Sequence, residues 1–380
     1  MKIFHICLAS HYTEGMTYQD NQLPDQNAKD GHEVIVVSDC HQYEGGKLIE
    51  TSQEDRILSS GVRLIRLKYD FLFNGTFSAK IRKVSRLYGL LELEKPDVVL
   101  FHGVAGWEML SAARYKRSHP YTKFYIDSHE DLHNSGTFWA SRFFQYRVFN
   151  RFLVSRIRSV VDKFLYLSYE SKDFLSQMYG LKDEDMEFYP LGGNVVPKEQ
   201  RLHYSKEIRA RHGFSSDDIL ILHSGKLDAA KKTAELIKAF LAVGRTNLKL
   251  VVIGSIPNSQ RSLLEPLFDK SPNVFFLGWK SGSELVAYIC AADLYFQPGT
   301  QSATMQNAIC CGTPVALYPY ASHRPYIRDN GYFVSNSDDY VRVFEALGSD
   351  KKNLASMSDN SYLLAYELLD YKVLAKRLYR

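Results

Sequence analysis

The stretch ILILHSGKLDAAKKTAELIKAF, residues 219–240, decides how the rest of the chain is read. Its first four residues, Ile219, Leu220, Ile221 and Leu222, form a short aliphatic run of the kind a parallel sheet buries on both faces. Ser224 and Gly225 break the run, and Leu236, Ile237, Phe240 and Leu241 then recur at helical spacing. Lys226 and Lys231 lie between strand and helix. A glycine turn, a helix start and two cations together suit an anion such as a diphosphate. A plain strand–helix connection with two solvated lysines has the same pattern, and these residues alone leave both open.

The same alternation recurs on either side. Strands are expected at 248–255 (LKLVVIGS), 274–279 (VFFLGW), 293–298 (DLYFQP) and 313–319 (TPVALYP), and earlier at 2–8, 33–38, 62–68, 97–101, 123–127 and 164–168. Helices fill the gaps, notably 77–93 and 137–160. A Pro/Gly cluster at Tyr189, Pro190, Leu191, Gly192, Gly193 and Asn194 marks the domain boundary. The expectation is an α/β protein of two Rossmann-like, doubly wound domains, 1–194 and 195–358. A helix at 359–380 is expected to pack back on the first domain. Such sheets bind ligands at the carboxyl ends of their strands, in a central cleft that the two domains face.

At 380 residues the chain is long enough for two domains with real cores. Lys plus Arg (47) barely exceeds Asp plus Glu (43), so the net charge of +4 does not point to nucleic acid. The five cysteines, Cys7, Cys40, Cys290, Cys310 and Cys311, show neither disulfide nor metal-ligand spacing, as in a reducing compartment. No apolar run approaches the ~20 residues of a membrane span, and residues 2–9 read as a strand rather than a signal peptide. A cytoplasmic protein is expected.

Several motifs, in order, resemble those of group 1 (family 4) glycosyltransferases of GT-B fold. Gly225, Lys226 and Leu227 with Lys231 look like the family's G-R-L-x-x-x-K element, and FLGW at 276–279 like its F-x-G strand end. CGTPV at 311–315 and DNGYFV at 329–334 match its later C-G-T-P-V and D-x-x-G-x-x-V elements. GHEV at 31–34 has its counterpart in the first half. The resemblance spans nearly the whole chain and implies transfer of a sugar from a nucleoside diphosphate sugar, UDP favoured, to a hydroxyl of a glycan or lipid-linked glycan. It further implies retention of configuration, no metal and no cofactor besides the donor, in the synthesis of surface polysaccharide or glycoconjugate.

Residue roles follow from the same resemblance. Lys226 and Lys231 would stabilise the departing diphosphate, with lysine replacing the family's first arginine, so charge is kept and fork geometry is not. Gly225 belongs to that turn, and Gly15 stands where the family has a Gly-Gly loop. Gly299, Thr300, Gln301, Ser302, Ala303 and Thr304 form a small-residue loop whose N–H groups could hold phosphate or sugar hydroxyls; an N-cap at Thr300 or Ser302 is the plainer alternative. Gly278 and Trp279 would meet the base, and Gln306 or Asn307 the ribose. The family carries two glutamates here, and this chain has amides, which bond hydroxyls but supply no negative charge. His129 is assigned beside the sugar. Asp127, His129 and Asp131 could alternatively bind metal, but two carboxylates with one imidazole are a poor set. Asp183, Glu184 and Asp185 have a D-x-D form yet read as a solvated loop.

Residues 79–91 and 138–158 mix apolar and basic residues at helical spacing and could lie on an anionic membrane. In the second stretch Trp139, Phe143, Tyr146, Phe149 and Leu153 share one face. Two other readings share the architecture: a GT-B protein that binds nucleotide or a partner without catalysis, and a sugar-nucleotide 2-epimerase.

Overall fold

The computed structural model describes residues 1–44, 47–132, 135, 138–347 and 351–379. The chain forms two compact units, one of Met1–Pro190 with Tyr371–Arg380 and one of Leu191–Asp370.

In the first unit the strands are β1 (Lys2–Cys7), β2 (Glu33–Ser38), β3 (His41–Glu44), β4 (Lys47–Glu50), β5 (Glu54–Ile57), β6 (Arg63–Arg66), β7 (Val98–His102), β8 (Lys123–Ser128), β9 (Lys163–Tyr166) and β10 (Met186–Phe188). Eight of them form one sheet in the order β10-β9-β8-β7-β1-β2-β6-β5, and β3 with β4 is a separate hairpin. The sheet is parallel except for β5, which runs against β6. Its central strands are buried on both faces, as the unbroken runs IFHIC and VVLFH require. The hairpin and β5 are absent from the sequence reading because their residues are polar and largely exposed, with no alternation to detect.

The second unit holds β11 (Ile219–Lys226), β12 (Leu248–Ser255), β13 (Val274–Phe276), β14 (Leu294–Gln297), β15 (Val315–Leu317) and β16 (Gly331–Phe333). They form a six-stranded sheet in the order β13-β12-β11-β14-β15-β16, parallel throughout. The order reverses between β11 and β14, a switch point of the kind where doubly wound sheets bind ligand.

Three helix expectations need correction. The stretch 77–93 is two helices, Gly75–Ile81 and Arg86–Glu94. Arg82 adopts a left-handed conformation (φ 52°), and its N–H closes on Ser78 O. Val84, Leu87 and Leu91 are core residues, so the apolar face expected on a membrane points inward.

Residue 137 lies outside the described residues; beyond it Ser141–Asn150 winds as a π-helix before Arg151–Ile157 becomes α-helical. Wider π-winding changes the phase of the faces. Tyr146, Phe149 and Leu153 therefore pack on the core, while Trp139, Phe143, Phe144, Val148 and Phe152 stay exposed.

The expected helix 359–380 is also broken. Lys351–Leu364 and the π-turn Ala365–Leu369 belong to the second unit, Asp370 is extended (ψ 123°), and Tyr371–Arg377 belongs to the first. There Tyr371, Leu374 and Leu378 join a core cluster with Ile3, Leu100 and Tyr189. Tyr189 Oη donates to Leu374 O at 2.7 Å. Within the second unit, Gly193 near its start bridges to Asp370 at its end. The boundaries thus fall after Pro190 and Asp370 rather than after residues 194 and 358.

Candidate functional site

In the second unit, β11, β12 and β13 end in a row of glycines. Gly254 N donates to Gly278 O at 2.9 Å. A Cβ on Gly254 would lie 1.8 Å from Gly225 O, so no larger residue fits. Past Gly225 (φ +135°) the two lysines diverge. Lys226 is exposed at the strand end. Lys231 sits on a 3-10 turn, Ala229–Lys231, and is only 7% exposed. Its Nζ donates to Thr300 O at 3.0 Å and Gln301 O at 3.5 Å. Burial lowers its pKa: a cation held where water cannot fully solvate it gains more from an incoming anion.

The loop after β14 is tied to that turn. Thr300 N donates to Ala230 O at 3.1 Å, and a Cβ on Gly299 would lie 2.1 Å from the same oxygen. Beneath runs a buried polar chain. Ser224 Oγ and Tyr295 Oη are 3.1 Å apart, Tyr295 Oη donates to Gln297 Oε1 at 3.4 Å, and Gln297 Nε2 donates to Thr300 O at 2.8 Å. The N–H groups of Thr300, Thr304 and Met305 serve internal bonds, the last two to Ser302. A ligand would be met by the remaining amides at Gln301, Ser302 and Ala303.

Gln306 and Asn307 turn inward. In the orientation that satisfies its neighbours, the Gln306 amide nitrogen donates to Ser302 O (3.2 Å) and Ala303 O (3.1 Å). A Cβ on Gly193 would lie 3.3 Å from Asn307 Oδ1. Gly278 joins the glycine row, with Trp279 72% exposed just past it.

In the first unit the corresponding strand ends carry a buried polar chain. Asn27 Oδ1 lies 2.8 Å from His5 Nε2, His5 Nδ1 lies 3.0 Å from His102 Nε2, and His102 Nδ1 lies 2.6 Å from Asp127 Oδ2. Asp127 Oδ1 accepts from Gly103 N at 2.9 Å and stands 3.8 Å from His129 Nε2. Burial works against the Asp127 carboxylate, but His102 and then His129 hold its pKa well below the usual range. Burial lowers His5 to about 3, keeping it neutral. The His129 side chain remains 48% exposed; burial opposes its proton, and Asp127 more than restores it, raising the pKa. Glu130 is pushed up to about 7 by burial, against a bond from Tyr179 Oη at 2.8 Å.

Both Asp127 oxygens are engaged, Oδ2 by His102 and Oδ1 by Gly103 N, with His129 farther off at 3.8 Å. Gly15 is a turn glycine (φ +78°) with open space around it. The D-x-D carboxylates are engaged locally, Asp185 with Arg158 and Asp183 with Lys172.

The sequence matches the family model for glycosyl transferases group 1 over residues 205–363, and that for a glycosyl transferase 4-like domain over residues 21–192. The chain belongs to the group 1 glycosyltransferases. No curated protein sequence matches it. Among solved structures, this glycosyltransferase resembles Anabaena Alr3699/HepE in complex with UDP-glucose (15% identity, 100% of this chain and 98% of that one, TM-score 0.63). It also resembles the sucrose-phosphate synthase of Thermosynechococcus elongatus (15%, 99% and 97%, TM-score 0.65). A third likeness is to WaaG, described as a glycosyltransferase involved in lipopolysaccharide biosynthesis (17%, 99% and 98%, TM-score 0.60). At these identities the likeness establishes the GT-B fold, two α/β domains with parallel sheets.

Several residues that shape the glycosyltransferase's two sites escaped the sequence reading. Gly254 could have been found, since it ends an aliphatic run as Gly225 does. Tyr295, His5 and His102 carry no local signal, because strand pairing brings Ser224, His102 and Asp127 to them; Glu130 meets Tyr179, 49 residues on, through the fold, and Gln297 bonds within its own loop.

Proposed function

We propose that the chain transfers a sugar from a nucleoside diphosphate sugar, with UDP as the carrier, to a hydroxyl of a glycan or lipid-linked glycan, with retention of configuration. The observation that carries this reading is the buried ammonium of Lys231, parked on the Thr300 carbonyl beside the glycine row of β11, β12 and β13. A diphosphate there would take the Nζ from the Thr300 and Gln301 carbonyls, with Lys226 adding a more solvated charge from the strand end. Negative charge grows on the diphosphate as the glycosidic bond breaks, and a placed cation in a poorly solvated position stabilises that state more than the ground state. With two lysines supplying the charge, the departure itself calls for no metal ion.

His129, oriented by Asp127, would bond a hydroxyl of the transferred sugar. The complexes of the Anabaena protein with UDP-glucose support the UDP assignment, and WaaG supports a glycoconjugate acceptor. The test is release of nucleoside diphosphate from a panel of donors, with and without acceptor. UDP release that depends on the acceptor is expected. Tight UDP binding with no release from any pair would favour the binding-only reading, which the inward-turned Gln306 and Asn307 motivate.

Contact with a membrane surface fits the exposed aromatics Phe138, Trp139, Phe143, Phe144 and Phe152, interleaved with Arg142, Arg147, Arg151 and Arg156. Aromatic and basic side chains together favour an anionic lipid interface. Among the described residues no helix is long and apolar enough to cross a membrane. Co-flotation with anionic but not neutral vesicles is expected, and a protein that stays wholly in the soluble fraction with both would end this part of the reading.

A further inference from the structure

Asp39 follows the last residue of β2 and is fully buried, while His11 and His41 flank it and are partly exposed. His11 Nδ1 lies 2.7 Å and His41 Nδ1 2.6 Å from the same oxygen, Asp39 Oδ2. The second carboxylate oxygen accepts a long bond from Ser38 Oγ, 3.4 Å, and the Tyr69 hydroxyl also bonds the carboxylate. Two imidazoles that merely needed an acceptor would be better served by one oxygen each. Instead three potential ligand atoms converge within 4.8 Å of one another.

We propose that His11, Asp39 and His41 bind one divalent transition-metal ion, zinc by preference. Two imidazole nitrogens and one carboxylate oxygen are a ligand set zinc accepts, with water completing a tetrahedron. Zinc–nitrogen bonds of about 2.0–2.1 Å at tetrahedral angles place two imidazole centroids about 5 Å apart. The observed separation is 5.5 Å, at an interplanar angle of 67°. The same geometry sets ligand atoms about 3.3 Å apart, so each Nδ1 has to withdraw from Oδ2 by about 0.6 Å as the ion replaces the shared hydrogens.

The surroundings hold the ligands in place. Arg66, itself buried, donates through Nη1 to the backbone carbonyls of Asp39 (3.1 Å) and His41 (3.2 Å), and its charge is met by Glu54 at 2.8 Å. Arg66 thereby fixes the backbone of two of the three ligand residues. His11 adopts a left-handed backbone conformation (φ 56°), unusual for a non-glycine residue, and this directs its ring toward Asp39. The ion would tie the loop after β1 to the loop after β2, at the carboxyl end of the first sheet. It plays no part in diphosphate departure, so the proposal stands independently of the transfer reaction.

The test uses the full-length protein, stripped with a chelator and dialysed against zinc, with bound metal measured by mass spectrometry and the melting temperature recorded alongside. One equivalent per chain and a melting temperature raised by a few degrees are expected. His41→Ala and the double variant His11→Ala/His41→Ala should lower affinity at least tenfold. Cobalt in place of zinc should give the intense visible bands of a four-coordinate site, lost in His41→Ala. Should the double variant fail to fold, His41→Gln, a single change at a partly exposed position, carries the comparison. Failure of the wild type to take up a stoichiometric ion overturns the proposal, as does uptake unchanged in the histidine variants, which would place the ion elsewhere.

Discussion

Lys231→Ala is expected to lower kcat/KM for the nucleotide-sugar donor by about 10²–10³-fold while the second unit stays folded. A placed group that stabilises transition-state charge contributes about 3–4 kcal/mol, and each 1.4 kcal/mol is about tenfold. A unit charge about 4 Å from another is worth about 4 kcal/mol at the effective dielectric of a partly buried site, which agrees. The structural cost is smaller. The lost bond to Thr300 O is worth about 1 kcal/mol, and that oxygen still accepts from Gln297 Nε2 at 2.8 Å. Removing a partly desolvated cation offsets some of the remainder, since burial already disfavours the Lys231 charge.

Lys226→Ala provides the contrast. Its side chain is exposed, so an effect of about fivefold or less is expected, consistent with ~1 kcal/mol for a solvated charge, and it should fade with added salt. The assay is steady-state release of nucleoside diphosphate, with thermal melts on each variant. Lys231→Ala retaining wild-type kcat/KM within about threefold would refute the reasoning, as would Lys226→Ala being the more damaging of the two.

Glu130, raised to about 7 by burial, should give the pH–rate profile a limb near neutrality that vanishes in Glu130→Gln. Tyr179→Phe removes a bond that favours the carboxylate, so the limb should move to higher pH; an unchanged profile in both variants would refute the assignment of that limb to Glu130. His5 and His223 are lowered by burial to about 3 and about 4. The unfolded chain therefore binds more protons below the ordinary histidine range, so stability is full above about pH 6.5 and is lost as pH falls toward the folded values. Each unit should lose about 2 kcal/mol by pH 5. Denaturant titrations across pH check this, and His223→Gln should flatten the dependence of the second unit. Gly299→Ala places a methyl 2.1 Å from Ala230 O, which displaces the turn bearing Lys231. Donor affinity is expected to fall at least tenfold in a thermal-shift titration, and wild-type affinity would show that the turn tolerates movement.

The strands at 219–224, 248–253 and 294–297 were legible because an aliphatic run is a local property, and so was the order in which they alternate with helices. The family elements around Gly225, Gly278 and Gly312 were legible too, as short strings. What the reading lost depends on phase and on distant pairing. A left-handed Arg82 splits one expected helix, and no residue type announces it. Ten residues of π-winding after Ala140 turn Tyr146 and Phe149 inward, where α-periodicity placed them beside Trp139. His5 and His102 are 97 positions apart, and His102 and Asp127 are 25 apart, so only the pairing of β1, β7 and β8 makes them neighbours.

By itself, then, the sequence determined two parallel-sheet domains, the turn carrying both lysines, and the glycosyltransferase family, because these rest on runs and spacings within a few residues of one another. Only the tertiary structure decided which lysine is buried, that Gln306 and Asn307 face inward, that Asp127 is backed by two histidines, and that His11 and His41 meet on one carboxylate oxygen. Apart from Gln306, which bonds its own turn, those outcomes depend on groups from separate strands and loops sharing one small volume, and that sharing is a property of the assembled sheet rather than of any segment.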